Sequence, residues 1–151
     1  MVGRGGGPVI ARWLLAGILL AAGVLKLGDP GAFADGLEGF HLLPLPLVVP
    51  LALAVPLFEI LTAAALLGGR FRSAGSLSAC LLTAAFVVFY AWAVVRGIDV
   101  HCACFGRSPL FRVSATGGLL RAAALLGLAL WVDVRLRIKP PAPGRNGSGE
   151  R

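Results

Sequence analysis

"LVVPLALAVPLFEILTAAALLG", residues Leu47 to Gly68, holds two prolines, one acid and otherwise almost only apolar or small side chains. A stretch of this length matches the roughly 20 residues that cross a bilayer as helix. It has no alternation of apolar and polar residues, so it is not a strand of a membrane barrel. Inside lipid the backbone must satisfy its own polar groups, which leaves an α-helix as the solution for such a segment. Three further stretches share this character: Pro8–Leu27, Ala74–Val95 and Ser114–Val134. A soluble domain of 151 residues cannot bury four helices that are apolar on every side. The expected fold is therefore all-α: a polytopic membrane protein built as a four-transmembrane-helix bundle over residues 8–134. A flexible N-terminus (1–7) and a basic, Pro/Gly/Ser-rich tail (135–151) flank it.

Composition agrees. Hydrophobic residues make up 58% of the chain and charged residues 14%, against about 25% charged in soluble domains. Mean hydropathy is +0.87. The net charge of +7 would suit nucleic acid if the bases shared one face. They lie between the apolar runs instead, where basic residues set membrane orientation. The expected partner is the lipid bilayer and not nucleic acid. The first stretch is longer than the apolar region of a signal peptide and ends in Lys26, so it reads as a retained span.

Nine basic residues fall on one side of this frame: Arg4, Arg12, Arg70, Arg72, Arg135, Arg137, Lys139, Arg145 and Arg151. Four fall on the other: Lys26, Arg96, Arg107 and Arg112. Positive charge collects on the cytoplasmic side. Both termini are therefore expected inside a cell membrane, and the loop after the third span outside. Between the first two spans, Phe33, Leu37 and Phe40 have helical spacing and suggest a short segment at the membrane interface.

The outer loop "DVHCACFGRSP", Asp99 to Pro109, carries Cys102 and Cys104. Outside the cytoplasm such a pair can form a disulfide. A ring closed over one intervening residue is expected to be strained, and strained, exposed disulfides are the labile ones. His101 and Arg107 would favour thiolate. Three readings are open at this point: a redox-active dithiol, a structural bridge, or a metal site with His101, which lacks a nearby fourth ligand. Cys80, about 20 Å of helix below the outer boundary, reads as a small buried hydrophobe.

Glu59 and Arg121 stand within spans, about 18 and 11 Å below the outer face. Ionisable residues at such depth face a partner or a cavity. The two are expected to pair with each other, either fixing helix register or forming an intramembrane polar site. Lys26 and Asp29 read as a snorkelling cation and a helix stop at the outer boundary.

The stretches "GVLKLGDPGAF", "PLFEI" and "GIDVHCACFG", in that order and in a four-span frame, resemble the methylamine-utilisation family MauE within the wider DoxX-like group. The resemblance covers about residues 16–131, and its most specific piece is the Cys-x-Cys-Phe-Gly segment. The family's usual Gly between the cysteines is Ala103 here. The resemblance implies a role in maturing an extracytoplasmic protein, as in methylamine dehydrogenase biogenesis, together with a thioredoxin-like partner outside. Thiol–disulfide exchange at Cys102 and Cys104, assisted by His101, would be the chemistry, with a membrane quinone as a candidate electron carrier. The competing expectations are a DoxX-type quinone-linked oxidoreductase subunit and a non-enzymatic assembly factor.

Overall fold

A computed structural model describes residues 7–41, 43–98 and 114–138. Within them the chain forms five helices: α1 (Gly7–Gly28), α2 (Pro30–Gly39), α3 (Leu45–Leu67), α4 (Arg72–Arg96) and α5 (Ala115–Ile138). All but α2 are long and apolar enough to cross a membrane. The four expected spans are all present, and α5 continues a turn past Val134, where the membrane domain was expected to end. The N-terminal residues 1–6 and the tail from 139 onward, expected to be flexible, lie outside the described residues.

Sequence chemistry explains the ends. Asp29 caps α2, its side chain accepting from the Ala32 N–H at 3.0 Å, with Pro30 in the first turn where a missing N–H costs nothing. The residue read as a stop for α1 is thus also the start of α2. Gly97 ends α4 in the left-handed region (φ 63°). The Ile98 N–H returns to the Ala93 carbonyl at 3.0 Å, closing a Schellman-type cap. Pro50 and Pro56 lie inside α3 without ending it.

The spans pack as antiparallel pairs, α1 with α3 and α4 with α5, and α3 joins the pairs by packing on α4. Small residues make this possible. A Cβ on Gly23 would stand 2.8 Å from the Pro56 carbonyl oxygen, and one on Gly75 would stand 2.7 Å from the Leu66 nitrogen. Gly118 lies under the ring of Tyr90. Close backbone approach over small residues is how helices associate where lipid removes the hydrophobic drive. The outward surface is apolar: Trp13, Leu14, Leu61, Leu81, Val88 and Leu120 are all more than half exposed. Between 28% and 39% of each span's apolar centre is buried in the bundle, so the remainder is left for lipid.

α2 is the helix that its spacing predicts, and the structure adds what its apolar side packs on. Phe33 and Leu37 are buried against Val48 and Ala52 of α3. Phe40 meets Phe89 and Tyr90 of α4 edge-on, at centroid distances of 5.9 and 5.7 Å. α2 is therefore a roof fastened to two spans.

Candidate functional site

The deepest polar feature begins with the buried stripe of α1. Arg12, Leu15, Ala16, Leu19, Ala22, Gly23 and Lys26 all face inward, at the three- and four-residue intervals of one helical face. Lys26 therefore points into the bundle and is 2% exposed. The contact of Gly23 with α3 sets the approach, and Glu59, one turn beyond Pro56, is carried to the same level. The Lys26 ammonium donates to Glu59 Oε1 in a fully buried ion pair.

Aromatic rings complete its surroundings. Lys26 Nζ lies 5.3 Å from the centroid of Phe33 on α2 and 5.0 Å from that of Phe86 on α4. Both are within cation–π range, and such contacts strengthen where water is excluded. Four helices thus converge on one charge pair. Glu59 Oε2 and the Thr62 hydroxyl, one turn further along α3, have no hydrogen-bond partner among the described residues.

Depth explains the arrangement. Glu59 lies about 21 Å along the axis from Leu45 and about 12 Å from Leu67. Lys26 is only about 3 Å from the end of α1. α1 therefore stops inside the bundle, and α2 fills the remaining depth against the first half of α3.

Two expectations are corrected here. Glu59 does not pair with Arg121; its partner is Lys26. Arg121 occupies the exposed face of α5. Lys26 does not snorkel outward: its ammonium turns into the bundle to Glu59, under Phe33 of α2. The signal that would have found the pair was the α1 stripe: Lys26 continues the series of Leu15, Leu19, Ala22 and Gly23.

A second polar group occupies the opposite end of α4 and α5. The Ser76 hydroxyl donates to Asp133 Oδ1 at 2.7 Å, and Arg137 Nε donates to Oδ2 at 2.7 Å. Cys80 is buried one turn from Ser76 and unbridged, packed with Ala63, Ala79 and Ala129, as expected of a small hydrophobe. Asp133 was not singled out from the sequence. It stands one turn beyond the buried Ala129, and its role is visible only with α4 alongside.

His101, Cys102 and Cys104 lie outside the described residues. The two ends that carry their segment are described. α4 closes at Gly97 and α5 opens after Ser114, at the end of the bundle roofed by α2. Phe40, Tyr90, Ala93 and Ala115 form one packed cluster there.

As chemistry, the mid-bundle site offers a buried ammonium–carboxylate pair between two aromatic rings, with one carboxylate oxygen unused among the described residues. It can hold charge, fix the register of four helices, or exchange a proton with a bound group.

Comparisons with known proteins place the chain. No solved structure matches it. A curated relative, "Methylamine utilization protein MauE" of Methylophilus methylotrophus, is 34% identical over 128 residues, covering 82% of this chain. The chain spans 66% of that relative's length. The family model described as "Methylamine utilisation protein MauE" matches residues 7–133, from the first described residue of α1 to Asp133. The four apolar helices and this match together make the chain a multi-pass membrane protein that belongs to the MauE family.

Proposed function

We propose that this protein supports maturation of an extracytoplasmic protein by thiol–disulfide exchange at Cys102 and Cys104. The observation that carries this reading is family membership, since the curated relative is named for methylamine utilisation. Methylamine dehydrogenase biogenesis is the corresponding process. The chain order supports it: the pair lies in sequence between α4 and α5, whose flanking ends are at the end of the bundle that the basic-residue count assigns to the outside. Both termini are then cytoplasmic.

In the exchange, a thiolate of the pair attacks a disulfide of a thioredoxin-like partner. One S–S bond forms as a mixed disulfide while the partner's leaving thiolate departs. The second cysteine of the pair then attacks, closing the loop disulfide and releasing the partner as a dithiol. Two electrons and two protons move to the partner. The reverse sequence oxidises the partner by the same mixed disulfide. His101 and Arg107 favour the thiolate. Repeated turnover needs a two-electron carrier, and a membrane quinone fits by class.

The test is to trap adducts in cells carrying Cys102→Ser or Cys104→Ser. One variant should accumulate a mixed disulfide with an extracytoplasmic protein; no adduct from either rejects the exchange. The Glu59 oxygen that has no partner among the described residues favours a second reading, a quinone-linked DoxX-type subunit. That reading predicts function lost in Glu59→Gln but kept in the double serine variant. An assembly factor without redox chemistry would also keep function in the double serine variant, and would tolerate any Glu59 substitution that folds.

A further inference from the structure

The end of the bundle opposite α2 holds two arginines that the ion pairs among the described residues leave out. Arg12 lies on the buried stripe of α1 and is 8% exposed. Arg72 opens α4. Its guanidinium folds over the α3–α4 turn, with Nη2 3.6 Å from where a Cβ on Gly69 would stand. Arg12, on the buried face of α1 that packs along α3, and Arg72, over the turn that ends α3, stand at the same end of the bundle. The buried Nε atoms of both donate to nothing among the described residues. Among the described residues the acid of this region is Asp133, whose two oxygens accept from Ser76 and Arg137.

Two like charges from different helices at one end of the bundle, each with a buried donor unused among the described residues, form an incomplete electrostatic unit. A buried charge without a partner is costly, and a buried N–H without an acceptor adds to that cost. The missing component is an anion with several oxygens. Guanidinium forks match phosphate oxygens in pairs. The level is right for one. Arg12 is about 8 Å from the start of α1, and Trp13 and Phe71 beside the pair are exposed. Arg135 stacks on Trp131 at 5.3 Å at the same end. Aromatic and basic side chains of this kind mark the headgroup layer. Basic pockets between transmembrane helices on the cytoplasmic side hold anionic headgroups.

We propose that Arg12 and Arg72 form a binding site for a phosphate-bearing anion, joining α1 to α4 at the end of the bundle opposite α2. The phosphate comes from an anionic phospholipid headgroup or from free phosphate.

Native mass spectrometry of the full chain in detergent, with phosphatidylglycerol, cardiolipin or phosphatidylcholine added, separates the cases. Thermal unfolding with and without inorganic phosphate is run alongside. The wild type should retain the anionic lipids over phosphatidylcholine. Arg72→Gln and Arg12→Gln should each lower that preference roughly fivefold. Arg135→Gln, which removes an equal charge at the same end, should leave it within about twofold of wild type. Arg12→Lys keeps the charge and serves if Arg12→Gln does not fold. Anionic lipid retention without a response to inorganic phosphate assigns a lipid headgroup. A phosphate-dependent rise in melting temperature, lost in Arg72→Gln and without lipid preference, assigns free phosphate. The proposal is overturned if the wild type shows neither effect, or if Arg135→Gln loses as much as Arg72→Gln.

Discussion

Lys26 and Glu59 show how one contact decides the character of a side chain. Neither residue is unusual alone: a lysine near the end of an apolar run reads as snorkelling, and a carboxylate within a span reads as seeking a partner. Their pairing depends on where α1 stops relative to α3. Removing one partner leaves a buried charge uncompensated. Lys26→Met should destabilise the bundle by about 3–5 kcal/mol, while combining Lys26→Met with Glu59→Leu should recover most of that loss. Chemical unfolding in micelles of the two singles and the double checks this, and additive losses would show that the pair does not interact. The capping residue is a smaller case: Asp29→Ala should cost about 1 kcal/mol through α2 alone. Protease accessibility of the α2 segment should report that change locally.

Elements differ in what they demand from their glycines. Gly75 sits against the backbone of Leu66, where a Cβ would have 2.7 Å. Gly17 faces outward, with nothing within 4 Å of a Cβ. Gly75→Ala should therefore destabilise by about 1–3 kcal/mol, because a backbone neighbour cannot turn aside. Gly17→Ala should be neutral or stabilising by up to about 1 kcal/mol, the helix propensity gain. Melting temperatures of the two variants, measured side by side, give the contrast. The spans themselves were legible because length and continuous apolarity are local properties. The role of α2 was not. The spacing of Phe33, Leu37 and Phe40 gave a helix and its apolar side, but an interface, a lipid surface and a neighbouring span are all apolar enough to take that side. Only the depth left over by the early end of α1 chose α3.

At the scale of the whole molecule, two polar centres lie at different depths in one bundle: the Lys26–Glu59 pair at mid-depth, and the Asp133 group at the end away from α2. The helix ends that flank Cys102 and Cys104 in sequence lie at the α2 end. If the basic-residue count sets orientation, an impermeant maleimide should label Cys102 or Cys104 in reduced intact cells. A cysteine introduced by Ser73→Cys at the opposite end, in a chain lacking the loop pair, should react only after permeabilisation. The opposite pattern would invert the orientation and place the pair in a reducing compartment, where a disulfide does not persist.

Sequence alone determined that this chain has four long apolar helices, because hydrophobic length is written residue by residue and lipid admits few other solutions. The same local motifs carried the family resemblance. Tertiary structure decided which charges meet. Glu59 lies within reach of several helices in principle, and a depth count that starts every span at the membrane boundary pairs it with Arg121. The close passage of Gly23 over Pro56, and the end of α1 beneath α2, bring Lys26 to it instead. Ion pairing acts over a few ångströms in a dry interior, so it is set by helix offsets that no single span records.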